Sequence, residues 1–261
     1  MLNPGILQRD GWLIWALTRR SLDARYRGTL FGAFWTILQP VGLLAIYAVV
    51  FAGVLHVTFP GTSTVEFVVF VFCGLIPFTM LSDTLTSANT VIVANASLVK
   101  RTPVRPYVFP LSATLAALAA QIPSLVIVLV SAALLGRLGW AALTLPLLLI
   151  PQVLVSGGLS LLVSAVGVFV RDLGQLLGLL LTAWLLVTPI FYPESAVPER
   201  LRWALWINPL AWLVTSYRDT LLLGVWPPLT LLVGGLLTGA FTFTVGLYLF
   251  GRLRPAFPDA L

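Results

Sequence analysis

The sequence predicts an all-α integral membrane fold: six transmembrane helices, an N-terminal amphipathic interface helix, and a re-entrant external helical hairpin between spans five and six. Three observations carry this expectation. Apolar residues make up 59% of the 261 positions and charged residues only 9%, where soluble domains carry roughly 25% charged residues. A soluble domain so poor in charge could not cover its surface, and a disordered chain would be far less apolar. Six stretches reach the ~20 apolar residues that a bilayer core of ~30 Å requires. None of them alternates apolar with polar residues as a barrel strand does, so each reads as a helix, which satisfies its own backbone groups in lipid.

The first element is read over residues 12–30, inside a segment 1–34 assigned to the cytoplasmic face. Arg19, Arg20, Asp23 and Arg27 fall on one helical stripe, while Leu13, Trp15, Leu17, Leu22, Ala24 and Tyr26 cover the rest; Arg25 alone sits on the apolar side. A helix of this kind lies in the membrane interface; the alternative is a plain juxtamembrane topology signal. The run Gly11–Thr18 is short, Arg19 and Arg20 follow it at once, and no small-residue cleavage site appears, so it does not read as a secretory signal. Gly28 and Gly32 offer a small-residue step into the first span.

The spans are expected at 36–56, 65–86, 107–136, 141–169, 173–192 and 228–250, all within one membrane domain covering 1–261 (its six-helix part 36–250). Basic residues set the orientation. Arg9, Arg19, Arg20, Arg25, Arg27, Lys100, Arg101, Arg105, Arg171, Arg252 and Arg254 fall on one side, against Arg137, Arg200, Arg202 and Arg218 on the other. The excess of Lys and Arg marks the cytoplasmic side, and an even number of spans leaves both termini there.

The connections differ in character. His56, the only histidine, stands at the end of span one before Pro60-Gly61 and reads as an interfacial residue, with a proton relay as the alternative. The loop Ser87–Pro106 is polar, and Asn95 or Ser97 is suited to cap a short helix running to Lys100 and Arg101, a docking element for a soluble partner or an ordinary topogenic loop. Arg171 and Asp172 form a compact tip between spans four and five, either an exposed ion pair worth ~0–1 kcal/mol or a second docking point. The segment 193–227 lies outside by topology yet is rich in Leu and Trp, and Asn208-Pro209 breaks it in the middle, because proline disfavours helix at the residue before it. Two short apolar helices around a break read as a re-entrant hairpin forming an outer gate, or as two helices lying flat with Trp anchors. Gly174/Gly178 and Gly235/Gly239 supply further close-packing steps.

Much chemistry is missing. The only lysine, Lys100, is not set in the Gly-x-x-x-x-Gly-Lys-Ser/Thr frame of a phosphate-binding loop, so ATP hydrolysis by that route is excluded, and no nucleotide or metal cofactor is expected in this chain. One Cys and one His cannot build a Cys/His zinc site. No HExxH motif, paired carboxylates or nucleophile elbow appears, so no catalytic residue is expected. The spans carry few ionisable groups beyond Glu66 and Asp83, which disfavours an ion-coupled carrier.

Four sets of segments stand out: the run Arg25-Tyr-Arg-Gly-Thr-Leu-Phe-Gly-Ala-Phe-Trp-Thr-Ile-Leu-Gln-Pro40, the loop Asn95-Ala-Ser-Leu-Val-Lys-Arg101, the run Phe169–Leu173 with Thr188-Pro-Ile-Phe-Tyr-Pro193, and Asn208-Pro-Leu210 with Tyr217-Arg218-Asp219. Together they resemble the permease subunit of ABC-2 type exporters, in the branch that moves polysaccharide, O-antigen and teichoic acid. They cover nearly the whole chain in order. One departure stands at the approach to span three, where Val104-Arg105-Pro106-Tyr107 replaces a Phe-Pro-Arg-Glu stretch frequent in that family.

The resemblance implies a transport subunit, not an enzyme, in the bacterial cytoplasmic (inner) membrane. It implies a homodimer paired with two separate ATP-binding subunits, which bind ATP and Mg. It implies as cargo a glycan carried on polyprenyl pyrophosphate. Coupling to the ATPase falls to Arg19, Arg20, Asp23, Asn95, Lys100, Arg101, Arg171 and Asp172, and Arg20, Arg25 and Arg27 would meet the pyrophosphate head, since guanidinium groups match phosphate oxygens. The aromatic candidates for a sugar path are Trp35, Tyr47, Phe78, Trp184, Tyr192, Trp206, Trp212 and Tyr217. Pro193, Asn208, Pro209 and Arg218 would shape the external gate. An ABC-2 permease for a drug or lipid, or an ion-coupled carrier using Glu66, Asp83 and His56, are the competing readings.

Overall fold

The computed structural model describes residues 4–28, 30–54, 63–101 and 104–261. The described residues form helices and turns, without a strand among them. His56 and the Pro60-Gly61 turn lie outside the described residues. The chain runs through α1 (Pro4–Tyr26), α2 (Trp35–Tyr47, continued by π-helical turns over Ala48–Val54), α3 (Thr64–Ala94), α4 (Ala96–Arg101) and α5 (Val108–Leu134). It continues with α6 (Leu145–Gly167), α7 (Leu173–Val187), α8 (Arg202–Ile207), α9 (Pro209–Arg218), α10 (Leu229–Leu253) and α11 (Phe257–Ala260).

Among the described residues, four stretches are long and apolar enough to cross a membrane: Thr64–Ala94, Val108–Leu134, Trp140–Gly167 and Leu229–Ala260. The apolar helices Trp35–Phe51 and Leu173–Val187 are shorter. α7 has 15 residues, about 22 Å at the helical rise, because Thr188-Pro189 ends it before residue 192. α3 runs past the expected residue 86 to Ala94, since its polar last turns remain helical.

α3 is the central post, burying residues from Phe67 to Ile92 against α5, α6, α7 and α9. Its start is fixed by a capping box: Ser63 Oγ accepts from the Glu66 N–H at 3.2 Å, and Glu66 Oε2 accepts from the Ser63 N–H at 2.8 Å. Glu66 Oε1 also takes Arg137 Nε and Nη2, at 3.0 and 2.7 Å, which ties this end of α3 to the α5–α6 turn. A large apolar core surrounds α3. A smaller one gathers Ile92, Phe109, Leu161, Phe250 and Phe257 at the α4 end of the bundle, where α11 folds back.

α6 and α10 make the closest helix pair. A Cβ on Gly246 would stand 2.1 Å from the Gly158 carbonyl oxygen, and one on Gly158 would stand 2.4 Å from that of Thr242. Gly239 belongs to the same seam, 3.1 Å from the Pro151 oxygen on this measure, and Gly235 borders it more loosely. The other expected steps differ. Gly28, Gly32 and Gly178 have no atom within 4 Å of a built Cβ; Gly28 (φ +81°) and Gly32 (φ +49°) serve instead as left-handed turn residues. Gly174 approaches only the Asn89 side chain.

Candidate functional site

At the α8–α9 end of the bundle, four elements converge on the break after α7. Asn208 separates α8 from α9 and is buried. Its Oδ1 accepts from Trp184 Nε1 at 2.8 Å and from the Leu210 N–H at 3.0 Å, and its Nδ2 donates to Thr188 Oγ1 at 3.0 Å. The residue that caps α9 therefore also holds the broken end of α7. Pro209 follows as the first residue of α9, where a missing N–H costs nothing. Pro193 precedes a short 3-10 turn, Glu194–Ala196. Tyr192 donates back to the Leu186 carbonyl at 2.9 Å.

Arg218 is buried without a carboxylate salt-bridge partner among the described residues. Its guanidinium donates to the carbonyls of Pro189 and Ile190, both at 2.6 Å, and of Phe70 at 3.3 Å. Its Cζ lies 3.4 Å from the centroid of the Phe70 ring. These carbonyls are accessible because Pro189 interrupts the helix, so one planar fork joins α9, α3 and the turn after α7. Phe67 and Phe70 stack at 6.3 Å, and Phe51 reaches Phe67, Tyr47 and Phe191, giving an aromatic cluster beside the same turn.

Beneath it lies a buried polar network. Tyr217 donates to Gln152 Oε1 at 2.6 Å, and Gln152 Nε2 meets Gln121 Oε1 and Met80 Sδ, both at 2.8 Å. It links α9, α6, α5 and α3 inside the apolar core, where an unpaired amide would be costly. Tyr217 and Phe78 are buried within the chain's own helices, so neither of these expected path aromatics lines its surface. Trp184 and Trp212 are partly covered, Tyr47 stacks in the aromatic cluster, and Trp35 and Trp206 are exposed.

At the α4 end, α1 rises alongside α5. Tyr107 donates to Asp10, with Arg105 at 3.6 Å from the same carboxylate, and Thr18 Oγ1 donates to the Ser112 carbonyl at 3.3 Å. The Val104–Tyr107 stretch thus docks α1. Burial, aided by the Asp10 carboxylate, pushes the Tyr107 hydroxyl above the ordinary tyrosine value. Arg19, Arg20, Asp23 and Arg27 share the exposed face of α1 with Trp12 and Trp15. Arg25 does not join them: it turns inward to Asp83 of α3, Nη2 to Oδ2 at 2.7 Å. Asn95 Nδ2 donates back to the Val91 carbonyl at 2.8 Å, and its backbone carbonyl accepts from the Leu98 N–H at 3.0 Å in the first turn of α4. Lys100, Arg101, Arg171 and Asp172 are exposed, and Arg171 and Asp172 form no ion pair with one another among the described residues.

Sequence reasoning missed a polar stripe on α3. Thr79, Thr86, Ser87 and Thr90 are exposed with Asp83 among them, at spacings that keep them on one side of the helix. A cavity of about 370 Å³ beside it is lined by Ser21, Arg25, Asp83, Thr86 and Ser87. Hydroxyls and a carboxylate on a membrane helix face water or protein rather than lipid, and this surface offers hydrogen bonds without a concentration of charge. The helical spacing from Thr79 to Thr90 was the available signal.

The profile of the ABC-2 type transporter family matches residues 13–222. The O-antigen export system permease protein RfbA of Klebsiella pneumoniae is 29% identical over 254 residues, covering 95% of each chain. A Myxococcus xanthus protein of the same name is 30% identical over 216 residues, 82% of this chain and 81% of its own. The polysialic acid transport protein KpsM of Escherichia coli is 28% identical over 228 residues, 84% of this chain and 86% of its own.

Proposed function

The chain belongs to the ABC-2 type transporter family, a multi-pass membrane family, and from that premise we propose that it is the permease subunit of an ATP-driven polysaccharide exporter. The observation that carries this is the similarity to an O-antigen export permease over 95% of both chains. The cargo is a glycan on a polyprenyl pyrophosphate carrier, leaving through the cytoplasmic membrane. α2 and α7 complete six spans, with both termini, α1, α4 and the Arg171-Asp172 tip on the cytoplasmic side. The single domain comprises the α1 segment, the six-helix body and the external hairpin.

The working unit is a homodimer with two ATP-binding subunits, which hold ATP and Mg; this chain holds neither. The broad apolar face of α7, with Leu179 71% and Leu180 61% exposed, supports a membrane-embedded contact between two copies. Arg19, Arg20, Asp23, Asn95, Lys100, Arg101, Arg171 and Asp172 meet the ATPase. Arg20 and Arg27 receive the pyrophosphate, while Arg25, neutralised by Asp83, lines the way in. The polar stripe of α3, with Trp35 and the hairpin tryptophans, gives the polymer hydroxyls and ring faces. Pro193, Asn208, Pro209 and Arg218 hold the outer gate closed at rest.

Deleting the coding sequence in the source bacterium tests this. Surface polysaccharide is lost, lipid-linked polymer accumulates inside, and a plasmid copy restores export only with its ATP-binding partner present. Unchanged surface polysaccharide overturns the reading, and drug sensitivity with a normal surface would assign the chain to another cargo.

A further inference from the structure

α9 presents two opposite faces. One buries Leu213, Val214, Tyr217 and Arg218, whereas Trp212 and Thr215, three residues apart, stay outside that stripe. Both line a cleft of about 350 Å³ with Glu194 and Ser195 of the turn before α8, Arg202 and Trp206 of α8, and the start of α10. Thr215 donates to Glu194 Oε1, which pins the carboxylate at the cleft. Trp212 lies against α10, its ring 3.3 Å from a Cβ built on Gly234, so the helix backbone fixes the indole. Trp206 is 72% exposed.

Interfacial tryptophans that only anchor a helix need no polar company. Here two indoles share one concave space with a carboxylate, a guanidinium and two hydroxyls, and apolar walls with a few convergent polar groups characterise small-ligand sites. The combination matches a sugar ring. Its C–H face packs on an indole face, its hydroxyls donate to a carboxylate, and its oxygens accept from a guanidinium or hydroxyl.

We infer that the cleft between the Glu194 turn, the α8–α9 hairpin and α10 is a saccharide subsite, which takes one pyranose unit of the exported polymer at the outer face. This rests on the exporter reading above. Glu194 is the hydrogen-bond acceptor, Trp206 and Trp212 are the stacking surfaces, and Arg202 closes the rim. A unit bound there presses on the back of the helix whose front carries Arg218.

The test uses the purified permease–ATPase complex in nanodiscs and, as probe, the source cell's surface polysaccharide freed from its lipid by mild acid, titrated calorimetrically with dextran as control. Trp206→Ala and Glu194→Gln should each weaken binding at least ten-fold with melting temperatures unchanged. Trp140→Ala, at a still more exposed tryptophan (81%), should bind as the parent does. Parent-like binding by Trp206→Ala and Glu194→Gln overturns the subsite, as does a parent complex that does not bind. Displacement of the polymer by phosphoethanolamine alone makes the cleft a lipid-headgroup site and also overturns it. Any of these results, with export still abolished by gene deletion, removes the subsite and leaves the exporter reading standing.

Discussion

A methyl group on Gly74 of α3 would stand 3.0 Å from Arg218 Nη2 and 3.4 Å from the Ile190 Cα. The absent side chain is what lets the guanidinium lie against α3 as it reaches the carbonyls of Pro189 and Ile190. Arg218 cannot simply swing aside, because those bonds and the Phe70 ring hold it in place. Gly74→Ala should therefore lower stability by about 1–3 kcal/mol, the usual cost of overpacking, and Arg218→Lys, which loses the planar fork, by about 1.5–3 kcal/mol. Thermal unfolding in detergent measures both; an unshifted Gly74→Ala midpoint would show that the approach is slack.

Tyr217→Phe removes the hydroxyl that Gln152 accepts at 2.6 Å. A buried amide oxygen left without its donor costs about 1–3 kcal/mol. Adding Gln152→Leu removes the orphaned group, so the double variant should melt above the sum of the two single losses. Strict additivity would mean that the two residues are not coupled.

The α6–α10 seam and the open surroundings of Gly178 in α7 predict opposite outcomes for two glycines. Gly246→Ala sets a carbon where the Gly158 carbonyl already stands and should cost about 3 kcal/mol, the upper end of overpacking. Gly178→Ala, with open space around it, should be neutral or raise stability by up to about 1 kcal/mol through helix propensity. Melting temperatures of the two variants decide it.

Docking of α1 depends on the Tyr107 hydroxyl donating to Asp10. A tyrosine raised above its ordinary value keeps its contribution below about pH 10, the unfolded value, and loses it only as pH rises through the higher, folded one. Hydrogen-exchange protection of α1 should therefore stay flat across the neutral range. It should fall in Tyr107→Phe and Asp10→Ala, and full protection in both would show that Thr18 and the apolar face suffice.

Exchanging Arg171 and Asp172 for the opposite charges leaves the fold untouched, since both side chains are exposed. ATP hydrolysis by the complex should continue while export falls. Export at the parent level would remove this tip from the coupling surface.

Long apolar runs were legible because hydropathy reports on every residue of a span. The break at Asn208-Pro209 was legible because proline acts locally, and it is where α8 gives way to α9. Depth and helicity then part company: the polar loop read from Ser87 onward marks an end to the span, yet the helix continues to Ala94 because threonine and serine on one face do not break it. Tertiary pairings stayed hidden. Gln121 and Gln152 each stand alone in an apolar run and Tyr217 lies in the polar stretch Thr215–Thr220, 31 and 65 residues apart in their pairs, and no local pattern marks them as partners. Arg25 looked like a flaw in an amphipathic helix because Asp83, 58 positions away, is its counterpart. Gly158 and Gly246 form no local motif with each other, so only the Gly235/Gly239 part of their seam is legible in the sequence.

The glycine seam also bears on biogenesis. The network from Met80 to Tyr217 and the Arg218 staple are complete within the chain up to Leu223, so they can close before α10 leaves the ribosome. The side-chain hydrogen bonds of α10 among the described residues all stay within α10. After the left-handed turn at Gly224 (φ +63°) and Pro227-Pro228, it has only to slide a smooth glycine face along α6 until backbone meets backbone. A segment that joins late and through shape alone can be proofread by the insertion machinery without exposing an unsatisfied polar group to lipid.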